Sequence, residues 1–137
     1  MRQNKEHDIS RLPDAELDVM LVLWDAGEPM KTAKLLEALN RKKDWSMSTL
    51  QSLLSRLEER GFVEVQKHMR FKYYVPVISE EDYRQKETRI FLERLHGNSF
   101  KSLIATLIDS NTVDSSDLKE IEEMLRKAGD KSGGRSS

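Results

Sequence analysis

Cysteine is absent from this chain. That absence removes disulfides, thiolate nucleophiles and Cys-ligated metal centres together. Histidine is scarce: His7, His68 and His96 stand alone, without the i+4 partner that a helical metal site needs, and each reads as a surface residue. There is no phosphate loop ending in GK[ST] and no nucleophile elbow. Acidic pairs such as Glu80-Glu81 and Glu122-Glu123 fall in helix first turns or on polar faces, where solvated charge is their ordinary role. Nothing points to an enzyme, a metal or a cofactor. Also missing are an apolar run near the roughly 20 residues that span a bilayer and a signal-peptide core at the N-terminus. We expect a cytoplasmic protein with no membrane insertion.

What is present suits one small domain with an appendage: 137 residues, 34% of them charged. The most informative stretch is Trp45 to Val75, WSMSTLQSLLSRLEERGFVEVQKHMRFKYYV. Leu50, Leu53, Leu54 and Leu57 recur at i, i+3, i+4, i+7, which is one apolar stripe of an α-helix. Ser46 or Ser48 can cap its start, and Gly61 stands where a left-handed residue would end it. The opposite face carries Ser48, Thr49, Gln51, Ser52, Ser55 and Arg56. Hydroxyls, an amide and a guanidinium can all reach base edges and phosphates. After Gly61 the period drops to 2: Val63 and Val65 alternate with Glu64 and Gln66, then Phe71, Tyr73 and Val75 with Lys72 and Tyr74, around a basic tip Lys67-His68-Met69-Arg70. A polar-faced helix followed by a basic-tipped hairpin reads as the recognition helix and wing of a winged helix-turn-helix. The plainer alternative is an amphipathic helix packed on a hairpin.

Charge bears on the choice without deciding it, since a charge run is ordinarily a solvated face. The whole chain is −1, yet residues 41–72 hold eight Lys/Arg against four acids, a local +4. Residues 1–40, with five against eight, and 79–127, with eight against eleven, are each −3. A basic patch placed on the segment that would face DNA matters more than the overall balance.

A first helix is expected from Pro13-Asp14, with acids in its first turn and Leu17, Met20, Leu21 and Trp24 inward, stopped by Gly27 and Pro29. Thr32 is the expected cap of a second helix with Leu35, Leu36 and Leu39 inward. Trp24 and Trp45 read as core. Three helices and then a hairpin is the winged-helix order. Beyond the wing, Ser79 begins a further helix with Tyr83, Ile90, Phe91 and Leu95 inward until Gly97. Another carries Phe100, Leu103, Ile104, Leu107 and Ile108. A last one, capped by Asp114 with Asp117 at N3, carries Leu118, Ile121, Met124 and Leu125. Burying about a dozen such side chains is worth on the order of 20 kcal/mol gross, and little chain remains to cover them. Folding back on the winged helix is one solution; a second copy related by a two-fold axis is the commoner one. The expected architecture is mainly α with a small β-hairpin wing: a winged helix-turn-helix DNA-binding domain at 9–78, a C-terminal helical dimerisation region at 79–128, and flexible ends at 1–8 and 129–137.

DAELDVMLVLW (14–24), DWSMSTLQSLLSRLEERGFV (44–63) and RFKYYVPVIS (70–79) together resemble the penicillinase-repressor family (BlaI/MecI/CopY). Its members share an AE-x-x-VM-x-x-LW first helix, a W-S-x-x-T recognition helix running into RL-x-x-(K/R)-G, and a Y-x-P exit from the wing. The likeness extends over roughly residues 9–127. It implies a dimeric winged-helix repressor on a palindromic operator that controls antibiotic-resistance or metal-homeostasis genes. Carried over by position, the DNA-binding residues are Thr32, Ser46, Ser48, Thr49, Gln51, Ser52 and Arg56, with Lys67, Arg70 and Lys72 on wing phosphates. The dimerisation residues are Phe100, Leu103, Ile104, Leu107, Ile108, Leu118, Ile121 and Leu125.

Two departures bear on the inducing signal. The C-terminal cysteine cluster of copper-responsive relatives is missing, which excludes copper sensing by that route. The β-lactam-responsive relatives are cut at an Asn-Phe bond in the fifth helix, where this chain has Thr106-Leu107. Cleavage there by a membrane-bound sensor protease and an uncut helical turn with Leu107 in the dimer contact both stay open. A winged helix used only for protein–protein contact is the rival reading of the head.

Overall fold

The computed structural model describes residues 11–135; the arm expected at 1–8 lies outside them. In chain order the elements are α1 (Asp14–Ala26), β1 (Met30–Lys31), α2 (Thr32–Leu39), α3 (Met47–Glu59), β2 (Val63–His68), β3 (Phe71–Pro76), α4 (Glu80–His96), α5 (Phe100–Asp109) and α6 (Ser115–Arg135). Three strands form one antiparallel sheet in the order β1-β3-β2. The chain divides into two compact units, one ending at Arg89 and the other starting at Ile90. That division falls inside α4, later than the 78/79 boundary expected from sequence, because the first turns of α4 are packed into the first unit through Tyr83.

The first unit is the winged helix. Its core joins Val19, Met20 and Leu23 of α1, Leu35 of α2, the four leucines of α3, and Phe62 and Val63 at the start of the wing. The α3 stripe is buried as its periodicity requires, with Leu50, Leu53, Leu54 and Leu57 all inside. In α1 the buried set is Glu16, Val19, Met20 and Leu23, and Leu21, expected inward, is 45% exposed. Both sets fit an i, i+3, i+4, i+7 series. Because nearly every position from Leu17 to Trp24 is apolar, the period alone does not choose between them.

Tyr83 ties α4 to this core. Its ring packs 5.7 Å from Trp24 and edge-on 5.9 Å from Phe62. Its hydroxyl accepts the Leu12 backbone N–H at 2.9 Å, and the Trp24 indole donates to the Ile78 carbonyl at 2.9 Å. Ser79 caps the helix by accepting the Asp82 N–H at 3.0 Å.

Two helix ends differ from expectation. Met30 and Lys31 pair with Tyr74 and Tyr73 of β3, so the chain stays extended through Lys31 and Thr32 becomes the first helical residue of α2, not its cap; no side chain caps that end. Helix α6 runs past Gly129 to Arg135, where the flexible end was expected to begin. Gly129 is not among the residues with positive φ, and a glycine within a helix costs only about 1 kcal/mol.

In the second unit Ser99 caps α5 by accepting the Ser102 N–H at 3.0 Å. Asp114 and Asp117 form a reciprocal capping box, each carboxylate accepting the other residue's backbone N–H, at 2.9 and 3.1 Å. Yet α5 has no buried residue. Phe91, Leu95, Phe100, Ile108, Leu118, Met124 and Leu125 remain exposed in the single chain.

Candidate nucleic-acid interface

Two chain elements build the polar face of the head. In α3 the apolar stripe turned inward leaves Ser48, Gln51, Ser52 and Ser55 exposed on the outside, where successive turns of one helix form a continuous ridge. The start of that ridge is held rigid. Ser46 Oγ accepts the Thr49 N–H at 3.1 Å and donates to Thr49 Oγ1 at 2.9 Å, with Ser48 Oγ 3.3 Å away. Ser46 and Thr49 therefore spend part of their hydrogen-bonding capacity on the cap, whereas Gln51 and Ser52 keep theirs for an outside partner. One turn earlier, Asn40 Oδ1 accepts the Trp45 N–H. That bond ties the chain entering α3 to the end of α2, a contact that no local signal in the sequence marked.

The hairpin supplies the second element. Register runs from Val63 opposite Pro76 to His68 opposite Phe71, leaving a two-residue turn, Met69-Arg70. Met69 sits at φ 62, the left-handed region, and is 88% exposed. Lys67 pairs directly with Lys72, so two like charges share one face of a two-stranded ribbon. Lys67, Arg70 and Lys72 are all exposed. Deeper in the sheet, burial, and next the nearby Glu58 carboxylate, push the Tyr74 hydroxyl above its ordinary range, so it stays a neutral donor.

The expected DNA-binding residues thus divide. Ser48, Thr49, Gln51, Ser52 and Arg56 share the outer side of α3; Lys67, Arg70 and Lys72 share the wing; Ser46 is the cap. Thr32 is half-buried at the start of α2. Missed from sequence was Glu16, a buried residue whose carboxylate lies 3.9 Å from Arg56 and 3.6 Å from Arg60. First-turn acids are ordinarily solvated, so no local signal marked it.

Among the described residues no group of three His, Cys, Asp or Glu could hold a metal ion, and no helix is long and apolar enough to cross a membrane.

Comparison with known proteins identifies the family. Residues 12–127 match the family described as Penicillinase repressor. The methicillin resistance regulatory protein MecI of Staphylococcus aureus (strain N315) is 26% identical over 124 residues, covering 90% of this chain and 98% of that protein. The penicillinase repressor of Bacillus licheniformis is 28% identical over 119 residues, covering 87% and 92%. A solution structure of the DNA binding domain of the repressor BlaI is 36% identical, with a TM-score of 0.49, covering 56% of this chain and 92% of that one. The chain belongs to the penicillinase repressor family, a family of transcriptional repressors and not of enzymes.

Proposed function

We propose that this repressor-family member binds a palindromic operator as a homodimer in the cytoplasm and blocks transcription by occupying the promoter. The observation that carries the reading is the outer face of α3: a capped, exposed ridge of Ser48, Gln51 and Ser52 beside a wing whose lysines face each other. Such a ridge fits a major groove, and the wing cations fit the flanking phosphates. The half-sites then lie about one helical turn, or a small multiple, apart.

Dimerisation is supported by the second unit. Phe100, Leu103, Ile104, Leu107 and Ile108 of α5, with Leu118, Ile121 and Leu125 of α6, form apolar series of which none is buried within one chain. A twin surface is the simplest cover for a patch of this kind.

Relief by a membrane-bound sensor protease belongs to the same proposal. The Thr106-Leu107 bond lies inside α5, and Thr106 Oγ1 donates to the Ser102 carbonyl at 3.0 Å. Cutting there requires the helix to unwind first, and the product would lose the end of the apolar series that carries Ile108.

A gel shift on duplexes from the chain's own upstream region, repeated across salt, tests the core of the proposal. If a dimer neutralises about 6–10 phosphates, affinity falls roughly 10³–10⁵-fold between 50 and 200 mM salt. A flat salt response, or a chain that retards no duplex, favours the protein–protein reading of the winged helix instead.

A further inference from the structure

The wing turns over two residues, and the first of them, Met69, is in the left-handed region at φ 62. Such a position in a hairpin ordinarily goes to glycine, asparagine or aspartate, which enter it at little steric cost. The other non-glycine residues with positive φ among the described residues, Asn98 and Asn111, are of that type. Methionine gains nothing there in the free chain. It is 88% exposed, the highest value among the exposed large hydrophobic side chains of the described residues. An unfavourable backbone conformation thus holds an apolar side chain out in water at the far end of the hairpin.

Cations stand close to this side chain. Residues 65–72 contain Lys67, Arg70 and Lys72 and no acid. Lys67 and Lys72 lie opposite each other on one face of the ribbon, His68 and Phe71 on the other. Lys31 reaches from β1 over the Phe71 ring, its ammonium 4.0 Å from the centroid, and adds a further positive charge near the turn. An apolar tip among cations suits a purely apolar protein surface poorly, because those charges would have to leave water. It suits a polyanion with stacked bases between two rows of phosphates. The minor groove of a duplex is such a surface, about 6 Å wide against roughly 4.8 Å between paired strands. With α3 in the major groove, the wing beside it meets the minor groove across one phosphate backbone.

We infer that Met69 is an apolar wedge that enters the minor groove beside each half-site and selects base steps that unstack readily. The inference rests on the DNA-binding reading above and adds a specificity-determining residue to a wing whose lysines supply affinity alone. Apolar side chains pushed between base pairs are a general means of kinking a duplex, at a cost that depends on the step opened. Pyrimidine–purine steps, TA and CA/TG, open most readily. The unbranched, polarisable thioether of methionine adapts to the irregular gap so formed. The tight turn fixes the point from which the side chain projects, which limits the ordering cost to the side chain itself.

The test is a selection in two stages. A randomised duplex pool gives the half-site bound by the full chain, and a second pool keeps that half-site and randomises its flanks. Wild type should enrich TA or CA/TG at one flank position, about half a helical turn from the centre of each half-site. Met69→Gly suits the left-handed turn and removes the wedge. It should lose that enrichment, keep the half-site preference set by α3, and bind the best flank roughly tenfold more weakly. Met69→Leu, apolar and equally ill-suited to positive φ, should keep the enrichment. With 2-aminopurine at the selected step, fluorescence should rise with wild type and Met69→Leu as the base unstacks, and stay flat with Met69→Gly. Met69→Gly should also melt no lower than wild type, since a side chain is removed from a position that disfavours one. Flanks enriched alike by wild type and Met69→Gly, or a flat 2-aminopurine signal with wild type, would overturn the wedge. A lower melting temperature for Met69→Gly would overturn it as well, by showing that the methionine serves the free fold. A wild-type chain that enriches no half-site removes the DNA-binding reading itself, which is a separate result from a chain that selects a half-site and ignores its flanks.

Discussion

Lys67 and Lys72 face each other directly across the wing hairpin, two positive charges in the cross-strand position where opposite charges would stabilise the ribbon. The pairing costs the isolated protein stability and becomes favourable only when a polyanion lies alongside. Lys67→Glu should therefore stabilise the free chain, by roughly 0.2–1 kcal/mol, while weakening its binding to every duplex. Thermal melting and anisotropy on the same preparation check the two halves. A variant that melts lower, or binds DNA as before, contradicts this view of the wing.

Roles within the interface separate by substitution. Gln51 can pair bidentately with adenine, a contact worth about 1–3 kcal/mol of discrimination, so Gln51→Ala should change which sequences are preferred. Lys72→Ala should weaken all sequences alike and flatten the salt response. Selection from a randomised duplex pool distinguishes them, and identical sequence profiles for the two variants would show that Gln51 does not read bases.

Tyr83 tests how α4 is fastened to the winged helix. Tyr83→Phe keeps the ring contacts with Trp24 and Phe62 and leaves the buried Leu12 N–H without its acceptor, a loss of about 1–3 kcal/mol. Burial comes first among the causes that hold the Tyr83 hydroxyl above its ordinary value of 10.0; the Leu12 hydrogen bond works against it and Glu87 with it. A raised phenol pKa stabilises the fold fully below the unfolded value and loses that contribution as pH rises through the folded one. The advantage of wild type over Tyr83→Phe should therefore be constant through neutral pH and shrink above about pH 10. Urea titrations at several pH values check this; equal stability of the two proteins at neutral pH rules the bond out as an anchor.

Ile108 lies on the uncovered series of α5 and is 44% exposed in one chain. A carboxylate there leaves a single chain undisturbed but would sit unpaired inside an apolar contact between copies. Ile108→Asp should raise the dimer dissociation constant by roughly a hundredfold, the equivalent of a few kcal/mol, while the melting of the first unit stays unchanged. Light scattering across concentration reads the mass, and an unaltered mass places the dimer contact elsewhere.

How much of this was legible in the sequence depended on whether each helix sorts its residues. In α3 the leucines and the hydroxyls alternate at helical spacing, so the buried face, the exposed polar face and the Gly61 stop could be read in advance, and the cap narrowed to Ser46 or Ser48, of which Ser46 serves; Gly61 takes φ 82. In α1 every position from Val19 to Trp24 is apolar, so the period does not choose the buried face, and the face that is buried carries Glu16. Its burial is made tolerable by Arg56 and Arg60, which are distant in sequence. The two-residue strand β1 is too short to have a period, and it exists because β3 offers an edge. Lys31 and not Thr32 precedes α2 for the same reason. In α5 and α6 periodicity marks the apolar series, which stay unburied within one chain; what covers them is not written in the spacing.

In the proposed binding mode two heads of one dimer act on two half-sites. The most direct measurement is a titration of a palindrome from the chain's own upstream region, against the same duplex with one half scrambled, with the mass of each complex determined by light scattering. Two chains on the intact palindrome, and a loss of affinity of at least about tenfold on the scrambled one, are the predicted result. One chain per duplex, bound equally to both, would contradict it.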